Sequence, residues 1–568
     1  MTAPRGWSGP WPWAKSYPSG MSPDRELDTW TVGSLLDRSA ERFDGKAAFV
    51  FRGRTVSYAV LREQADRAAA AFLAAGLGPQ SRIALLLPNT LYHPYAFFGA
   101  MKAGATIVHL SPLDSPRILA HKLSDSGART LVTTNIGDLA DRSAALLRDG
   151  LIDRLIVGDD AVFGPSPLTG ALPSGMGITS WSDFVAACPP VGEWPAVAVD
   201  DLALLQYTGG TTGLPKGAML THANLSAAVS AYDAWSQADN LSRPGEERVL
   251  LFLPLFHIYA LVSVTLRSLF DGQTLVMHTR FDPETALDEI ERGATVFAGV
   301  PTMWIAICSL PGFEKRNLSS LHYCASGGAP LPVEIARKLK ARTGLELLGG
   351  WGMTETSPAG TNIPKNRPDK LGTIGLPLPG IYLDVVALDD SKRVLPPREI
   401  GEIRAYGANV THGYLNRQDE TRAAFSDGGF LTGDIGYMDE DGFFFIVDRK
   451  KDMIISGGYN VYPQMIEQAI YEHPDIEEVL VIGIPDTYRG EVAKAFVKLR
   501  EGAPDLTFEA LSLFLQDRLG RHEMPKALEI RSALPRTSVG KLSKLELKHE
   551  EAARRQAAIA SEKGEVHG

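Results

Sequence analysis

Hydrophobic positions in the first part of the chain switch between a helical and an extended pattern. A helix is predicted from Ser57 to Gly76, a residue type that commonly ends helices, and its apolar positions recur every three or four residues: Leu61, Ala65, Ala68 and Phe72. Short apolar runs between helical stretches predict buried strands at 83–87, 106–110, 130–133 and 155–157. Because strands alternate with helices, we expect a parallel, doubly wound sheet.

A second series of the same kind follows later in the chain. It predicts strands at 249–253, 274–277, 295–298, 323–326 and 345–348. The stretch 158–180 is rich in Gly, Pro and Ser and is predicted to be loop. We expect the two series to pack together as one large domain.

From about residue 380 the apolar runs shorten and Gly-rich turns separate them, which indicates an antiparallel sheet or a distorted β-barrel. Beyond Arg449 a smaller α+β unit is predicted, with strands at 476–482, 492–499 and 527–530 and a helix at 508–519. The fold class is therefore α/β. The large N-terminal domain, residues 1–448, holds two doubly wound sheets plus a distorted β-barrel, and residues 449–568 form a small α+β C-terminal domain.

The two ends of the chain carry different patterns. Trp7, Trp11 and Trp13 stand among prolines, which predicts either an extended arm lying on an apolar surface or a disordered tail. The last twenty residues are rich in Ala and charge and predict a helix that frays into disorder. The start has no apolar core of a secretory signal, and no run of eighteen apolar residues occurs. A cytoplasmic protein without a transmembrane segment is predicted, and peripheral contact with the inner membrane face stays open.

Composition narrows the function classes further. With 568 residues the chain is too long for one hydrophobic core, and its net charge of −10 disfavours non-specific nucleic-acid binding. Its three cysteines, Cys188, Cys308 and Cys324, form no CxxC pair, so neither a disulfide framework nor a structural zinc site is expected.

The segment Tyr207–Gly217, YTGGTTGLPKG, carries the strongest chemical signal. Its glycines allow backbone N–H groups to point at an anion, its hydroxyl side chains add donors, and Lys216 adds a positive charge. Since Lys216 follows a proline and precedes a glycine, this is not the GxxxxGK[ST] phosphate loop. A flexible Gly/Thr loop is the alternative, but the combination of residues favours phosphate binding.

This segment resembles the signature of the adenylate-forming superfamily, which comprises acyl-CoA synthetases, peptide adenylation domains and beetle luciferases. Further motifs occur in the family's order: GWGMTE at 350–355, TGD at 432–434, DRKKD at 448–452, ISGGYN at 455–460 and PRTSVGK at 535–541. The version most similar to this chain is that of bacterial long-chain fatty acid–CoA ligases. The small C-terminal domain is mobile in that family.

The resemblance implies a site for ATP, Mg²⁺ and coenzyme A. Lys541, Lys216 and Thr354 are the implied catalytic residues, Glu355 is the implied magnesium ligand, and Lys451 is the implied hinge. The implied ATP/AMP-binding residues are Thr208, Gly209, Gly210, Thr211, Thr212, Gly213, Lys216, Gly350, Trp351, Gly352, Met353, Thr354, Asp434, Arg449 and Lys541. Gly457, Gly458 and Tyr459 are implied to bind coenzyme A. Without the resemblance Lys541 would be interpreted as an ordinary surface lysine. A solvated surface acid is the alternative for Glu355, and a helix or turn cap is the alternative for Asp434.

The same resemblance places the acyl pocket. Its implied residues are His257, Tyr259, Leu261, Val300, Gly327, Gly328 and Ala329. Apolar side chains beside a glycine pair suit an alkyl chain, although His257 is also compatible with a core histidine. Leu261 stands where some related long-chain enzymes have a gating tryptophan, so the chain length of the acid stays open, as do aryl and dicarboxylic acids.

The predicted function is an ATP-dependent acyl-CoA ligase for a carboxylic acid, chiefly a medium- or long-chain fatty acid. It would form an acyl-AMP intermediate and release AMP and pyrophosphate. A ligase that serves a carrier protein is the first alternative, although residues 258–266 lack the acidic residue that an amino-acid substrate needs. A non-enzymatic nucleotide-binding protein and a luciferase-like oxygenase are further alternatives, and a homodimer is compatible with all of them.

Overall fold

The computed structural model describes residues 10–186, 193–208, 214–328, 333–457, 459–536 and 542–565. The chain separates into two compact units. Unit 1 comprises residues 1–383, 404–430 and 440–444, and unit 2 comprises residues 384–403, 431–439 and 445–568. Among the helices that are described, none is both long and apolar enough to cross a bilayer.

The strands run in chain order as follows: β1 Ala47–Phe51, β2 Arg54–Ser57, β3 Arg82–Leu85, β4 Thr106–His109, β5 Thr130–Thr134, β6 Arg154–Gly158, β7 Ile178–Ser180, β8 Leu202–Thr208, β9 Lys216–Thr221, β10 Arg248–Leu251, β11 Thr274–Met277, β12 Val296–Gly299, β13 Tyr323–Ser326, β14 Leu347–Trp351, β15 Thr361–Asn362, β16 Leu376–Pro377, β17 Ile381–Val386, β18 Gly401–Gly407, β19 Phe425–Ser426, β20 Gly429–Met438, β21 Phe444–Arg449, β22 Ile454–Ser456, β23 Tyr459–Val461, β24 Ile476–Asp486, β25 Gly490–Leu499 and β26 Ala527–Ile530.

The α-helices are α1 Val32–Phe43, α2 Tyr58–Ala74, α3 Tyr92–Lys102, α4 Pro116–Ser126, α5 Leu139–Arg148, α6 Trp181–Ala186, α7 His222–Ala238, α8 Arg267–Phe270, α9 Pro283–Glu291, α10 Pro301–Cys308, α11 Val333–Thr343, α12 Gln418–Ala423, α13 Pro463–Tyr471, α14 Phe508–Leu515 and α15 Lys544–Glu565. A π-helix, Tyr259–Leu266, leads directly into α8.

Both doubly wound sheets are present in unit 1. The first has the strand order β7-β6-β5-β3-β4-β8-β9, and its pairs are parallel except β8–β9. The second has the order β16-β15-β14-β13-β12-β10-β11-β1-β2, with parallel pairs from β14 to β1. The α/β prediction is therefore confirmed. The hairpin β1–β2, which precedes the first sheet in the chain, joins the far edge of the second sheet.

The helix predicted from Ser57 is α2, and its ends have local causes. The Ser57 hydroxyl accepts a hydrogen bond from the backbone N–H of Val60, which caps the first turn. Gly76 follows the last turn with φ of +76°, a left-handed conformation that glycine adopts without a steric penalty.

The loop prediction for 158–180 is wrong at its end. Residues Ile178–Ser180 form β7, which pairs in parallel with β6 and extends the first sheet. A three-residue edge strand is too short to leave a periodic pattern of apolar positions. Its strand conformation therefore depends on pairing with β6.

The N-terminal arm lies on an apolar surface within unit 1. Trp11 and Trp13 stack on one another at 5.1 Å between ring centroids, and they pack against Tyr382 and Phe444. The two indoles are 7% and 2% exposed. The extended-arm alternative is confirmed for these residues, while Trp7 lies outside the described part of the chain.

Strands β17 to β21 make a further sheet in the order β17-β18-β20-β19, with β21 beside β20, and β19 runs antiparallel to β20. Unit 2 has its own mixed sheet in the order β23-β22-β25-β24, and β26 pairs in parallel with β25. A separate core beneath this sheet, built from residues such as Ile466, Val481 and Leu515, confirms the small α+β unit.

Candidate active site

The predicted phosphate-binding segment is flanked by the antiparallel strands β8 and β9. Thr208 and Lys216 are paired in register at the ends of these strands. Gly209, Gly210, Thr211, Thr212 and Gly213 lie outside the described residues. This pairing therefore fixes the two flanking residues on a buried sheet, which is a rigid support for an anion-binding segment.

Lys216 is held between two partners that the sequence did not indicate. Its ammonium group forms an ion pair with Glu420 of α12 and lies 5.5 Å from the centroid of the Tyr414 ring. The Lys216 side chain keeps 37% of its surface exposed. A cation is thus positioned at the edge of the loop by a carboxylate and a ring face.

The segment 409–415 connects β9 with the turn that carries Glu355. The N–H of Leu415 donates to the carbonyl of Gly217 at 2.9 Å, and the hydroxyl of Thr411 donates to the carbonyl of Met219 at 2.7 Å. The N–H of Thr411 donates to the carbonyl of Glu355 at 2.7 Å. Sequence reasoning missed this segment; its signal is the cluster of Asn, Thr and Gly in a stretch where Asn409, Val410, Thr411, Gly413 and Leu415 are buried.

Glu355 lies in a 3₁₀ turn, Thr354–Thr356, and is only 5% exposed, so it is not a solvated surface acid. The Tyr414 hydroxyl donates a 2.8 Å hydrogen bond to Glu355 Oε1. Burial and the Glu355 charge both raise the pKa of Tyr414 well above its usual value, so the phenol stays protonated and remains a donor.

A hard cation fits Glu355 as one ligand among several oxygens. The described residues contain no cluster of three His, Cys, Asp or Glu side chains that would form a complete metal cage. Mg²⁺ is commonly bound by one or two carboxylates together with substrate phosphates. The magnesium role of Glu355 agrees with this chemistry and stays a prediction.

The glycines of GWGMTE are required by close packing. A Cβ on Gly352 would lie 1.4 Å from the carbonyl oxygen of Pro358, and a Cβ on Gly350 would lie 2.4 Å from the carbonyl oxygen of Thr361. Trp351 ends β14, and Met353 and Thr354 follow it, both half-buried. The GWGMTE segment therefore packs directly against the backbone at Pro358 and Thr361, with no room for a side chain at Gly350 or Gly352.

In unit 2, the three residues of the Thr-Gly-Asp motif lie within β20 rather than in a turn. The N–H of Asp434 donates to the Thr432 hydroxyl at 3.1 Å, and Gly433 has φ of +71°. Asp434 is 2% exposed, and its Oδ1 accepts from Arg449 Nε at 2.7 Å. The two residues predicted to bind the nucleotide are thus brought together across β20 and β21.

The side chain of each charged residue of DRKKD except Lys451 makes a hydrogen bond or an ion pair within unit 2. Asp448 accepts from the N–H of Gln464 at 2.7 Å, Lys450 pairs with Glu402 at 2.7 Å, and Asp452 pairs with Lys548 at 2.7 Å. In the described part of the chain the exposed Lys451 side chain makes no hydrogen bond or ion pair. The backbone carbonyl of Lys451 accepts from Lys548 Nζ at 3.5 Å, and the hinge role of Lys451 stays a prediction.

A buried charge cluster lies behind this motif. Lys544, at the start of α15, pairs with Glu467 at 2.9 Å. Burial opposes the charge of Lys544, but Glu467 and Asp448 more than offset it and raise its pKa. Burial raises the pKa of Glu467 although Lys544 opposes this shift. The cluster holds α15 on the sheet immediately after Lys541, which itself lies outside the described residues.

The predicted coenzyme A segment is an exposed turn between β22 and β23. Gly457 has φ of +59°, and a Cβ there would meet no atom within 4 Å. Tyr459 is 62% exposed and its ring lies 5.1 Å from that of His522. Gly458 lies outside the described residues. Because Gly457 has no side chain and faces open space, a ligand could approach its backbone closely.

At the predicted acyl pocket, the Tyr259 ring packs on Gly327, where an added Cβ would lie 3.0 Å from it. His257 Nδ1 accepts the N–H of Tyr259 at 3.3 Å, at the start of the π-helix. Leu261 is 1% exposed, whereas Val300 is half-buried at the start of α10. Gly328 has φ of +83°, and Ala329 lies outside the described residues.

A buried histidine network, which sequence reasoning missed, supports the start of this pocket. Gln206 Nε2 donates to the carbonyl of Phe256 at 2.8 Å, and Gln206 Oε1 is 2.9 Å from His109 Nδ1. His109 Nε2 is 3.2 Å from His93 Nε2. Burial lowers the pKa of His109 to about 4, so the network is neutral at physiological pH. It links β8 to the segment that carries His257.

Two family models match the chain. One, described as an AMP-binding enzyme, covers residues 36–415, and the other, an AMP-binding enzyme C-terminal domain, covers residues 465–541. A long-chain-fatty-acid–CoA ligase of Bacillus subtilis is 36% identical over 558 residues, which is 95% of this chain and 98% of that protein. A feruloyl-CoA synthase of an Amycolatopsis species is 36% identical over 519 residues, 91% of this chain and 98% of that protein.

The fold also agrees with solved structures. One is o-succinylbenzoate coenzyme A synthetase from Bacillus subtilis in complex with ATP and a magnesium ion. It superposes with a TM-score of 0.76 at 28% identity, covering 89% of this chain and 98% of that one.

Proposed function

This chain belongs to the family of AMP-binding enzymes and is an acid–thiol ligase, and we propose that it converts a medium- or long-chain carboxylic acid to its acyl-CoA through an acyl-AMP intermediate. The proposal rests above all on one arrangement in unit 1. Lys216 and the buried Glu355 both contact Tyr414, so one side chain connects a cation at the start of β9 with a buried carboxylate.

In the first half-reaction a carboxylate oxygen of the acid bonds to the α-phosphorus of ATP, and the bond to the β-phosphate oxygen breaks to release pyrophosphate. Negative groups approach one another in this step, so preorganised cations and donors lower the barrier. Lys216 and Thr208 would hold the departing phosphates. Thr354 would donate its hydroxyl to the nucleotide. When bound at Glu355, Mg²⁺ would neutralise phosphate charge.

In the second half-reaction the sulfur of coenzyme A bonds to the acyl carbon, its thiol proton is lost to solvent, and AMP leaves. Asp434 and Arg449 would hold the ribose, and Lys541 would hold the acyl carboxylate against the phosphate before this exchange. Gly457, Gly458 and Tyr459 would line the approach of the pantetheine arm. These roles follow from the family motifs that the residues match.

The acyl substrate is the finer part of the proposal. A relative named for long-chain fatty acids over nearly the full length supports an alkyl acid, and the buried Leu261 supplies an apolar wall. Because a feruloyl-CoA synthase is also 36% identical, over 519 residues, an aryl acid is the second candidate. A carrier protein in place of coenzyme A is the third.

The test is pyrophosphate release across a panel of acids (acetate, octanoate, palmitate, benzoate, ferulate, adipate and amino acids), each with and without coenzyme A. Release that rises with coenzyme A on alkyl acids supports the proposal and ranks chain length. Release that ignores coenzyme A would favour a carrier protein, and absence of release with every acid would refute the proposal.

Two variants test whether the release depends on the site described above. Glu355→Gln should lower pyrophosphate release by at least tenfold, because it removes the buried negative charge offered to the metal. Glu314→Gln, a carboxylate that is 67% exposed and pairs only loosely with Lys338, is the matched control and should leave the rate unchanged. Equal effects of the two substitutions would argue against a magnesium role for Glu355.

A further inference from the structure

Helix α4 carries none of the predicted site residues, yet it contacts both described flanks of the predicted phosphate-binding segment. Its apolar side packs into the core of the first sheet through Leu119 and Leu123. His121 and Asp125 are four positions apart, a spacing that places side chains on the same side of a helix. Both of these side chains reach residues next to the segment.

The downstream flank is held by a hydrogen bond to a backbone carbonyl. His121 Nε2 lies 2.9 Å from the carbonyl oxygen of Pro215, the residue immediately before Lys216. Because a carbonyl oxygen can only accept, His121 Nε2 carries a proton and donates this hydrogen bond. The His121 ring also meets the Tyr207 ring edge-on, with 6.4 Å between the centroids. His121 therefore fixes the peptide group that leads into Lys216.

The upstream flank is held at Tyr207, the residue before Thr208 on β8. Its hydroxyl donates to Asp125 Oδ2 at 2.9 Å and lies 3.2 Å from the carbonyl oxygen of Lys122. Burial raises the pKa of Tyr207 far above its usual value, and the hydrogen bond to Asp125 raises it further, so the phenol keeps its proton. A Cβ on Gly217 would lie 3.2 Å from the Tyr207 ring, so this ring also packs on the backbone of β9.

The same end of α4 reaches the segment that carries Glu420, the ion-pair partner of Lys216. Asn416 Nδ2 donates to the carbonyl oxygen of Asp125 at 3.0 Å. Arg417 Nη2 lies 3.8 Å from Asp125 Oδ1, and Arg417 Nε lies 3.6 Å from Glu420 Oε1. The Asp125 side chain is only 10% exposed, so solvent screens its charge less than that of a surface carboxylate. Asp125 therefore connects β8 with the partner of Lys216.

The contacts of α4 converge on the surroundings of one cation. They reach Pro215 before Lys216, Tyr207 on the paired strand, and Glu420 through Arg417. A triphosphate binds best to donors and cations that are already in place, because every group that must be ordered on binding lowers the affinity. The polar contacts of α4 provide such order in addition to the apolar packing that holds the helix on the sheet.

We propose that α4 positions the phosphate-binding segment for the departure of pyrophosphate, and that His121 and Asp125 are positioning residues of the reaction. His121 holds the peptide group next to Lys216, and Asp125 holds β8 together with the segment that carries Glu420. Both side chains act through these residues and not by contact with the substrate. The inference rests on the proposed function, because it requires that residues 208–216 bind the phosphates of ATP.

The test measures affinity for the departing phosphates separately from affinity for the nucleotide. Exchange of labelled pyrophosphate into ATP, with the acid that the unmodified enzyme uses best, gives the KM for pyrophosphate. Competition of AMP against ATP gives an inhibition constant for a ligand that lacks the β- and γ-phosphates. His121→Ala and Asp125→Ala should each raise the KM for pyrophosphate about fivefold, the factor expected for one lost hydrogen bond, and leave the AMP constant within about twofold.

Two further variants separate positioning from stability. His121→Gln keeps an N–H donor of similar reach, so it should return the KM for pyrophosphate to near the unmodified value. His322→Ala is the matched control, because it removes a half-buried histidine that lies 3.1 Å from Glu247 beside the second sheet. It should lower the melting temperature without changing the KM for pyrophosphate.

Three results would overturn the inference. An unchanged KM for pyrophosphate in both alanine variants would show that α4 does not act on the segment. An equal loss of affinity for pyrophosphate and AMP would show a structural role alone, and no recovery in His121→Gln would show that the hydrogen bond to Pro215 is not the cause. If the unmodified enzyme exchanges no pyrophosphate with any acid, the proposed function fails and this inference fails with it; exchange that the variants leave intact overturns this inference alone.

Discussion

Removal of the Tyr414 hydroxyl should weaken magnesium binding without disturbing Lys216. In Tyr414→Phe the ring remains, so the contact at 5.5 Å from Lys216 Nζ is kept, but the 2.8 Å hydrogen bond to Glu355 Oε1 is lost. Tyr414 is thus a positioning residue for Glu355. A hydrogen bond to a charged group contributes about 1.5–3 kcal/mol, and loss of a group that orients a metal ligand costs about 10–100-fold in affinity or activity.

The assay is acid-dependent exchange of pyrophosphate into ATP, titrated with Mg²⁺. We expect the Mg²⁺ concentration for half-maximal exchange to rise at least tenfold in Tyr414→Phe, with the KM for the acid unchanged. A purely structural role for Tyr414 would lower the melting temperature and the maximal rate but leave the Mg²⁺ midpoint where it was. The shift of this midpoint therefore separates positioning from stability.

Tyr382→Phe is the matched control. Its hydroxyl also donates to a carboxylate, Asp24 Oδ1 at 3.3 Å, but in the N-terminal arm. The reasoning is refuted if Tyr414→Phe keeps its Mg²⁺ midpoint within twofold of the unmodified enzyme, or if Tyr382→Phe shifts the midpoint by the same factor.

Three further predictions concern the hinge, a buried ion pair and pH. Lys451→Pro should spare pyrophosphate release yet stop thioester formation. The backbone N–H of Lys451 makes no hydrogen bond among the described residues, so proline removes no contact and only restricts rotation about the backbone φ angle. Equal loss of both steps would count against a hinge. Lys544→Met should lower the free energy of unfolding in urea by about 3 kcal/mol at pH 8, because it leaves the buried Glu467 charge unpaired. The loss should be smaller at pH 5, where Glu467, whose pKa is already raised, takes up a proton and loses its charge. Adding Glu467→Gln should recover part of the loss, and no recovery would contradict the pairing. Stability should fall by up to about 3 kcal/mol from pH 6.5 towards 4, because unfolded His222 binds a proton that the folded, buried ring with a pKa of about 4 does not. His222→Asn keeps an acceptor for the N–H of Val32 and should flatten this slope in urea unfolding, and an unchanged slope would rule His222 out as its source.

Strand positions were predictable where a short run of strand-forming residues also pairs with a neighbouring strand. The predicted strands at 274–277, 323–326 and 527–530 match β11, β13 and β26 residue for residue. β11 and β13 lie inside the second sheet and β26 pairs in parallel with β25, so pairing acts on the same residues that local propensity favours. Strand β7 was missed since its three residues adopt strand conformation only by pairing with β6.

Part of the candidate site could be predicted where one segment carries the pattern by itself. The close packing of Gly350 and Gly352 and the hydrogen bond between Thr432 and Asp434 arise within short segments, whereas phosphate binding at 208–213 stays a prediction. Tyr414 and Glu420 were not found, because their roles exist only through contacts with Glu355 and Lys216, which lie more than fifty residues away.

The sequence by itself determined the alternation of strands and helices and the family motifs, since each of these follows from patterns within a few residues. Only the tertiary structure decided that the β1–β2 hairpin joins the far edge of the second sheet and that Tyr414 contacts both Lys216 and Glu355. The physical reason is distance along the chain. Burial, pairing and hydrogen-bond satisfaction are properties of groups brought together by folding, and a single sequence does not state which distant groups will meet.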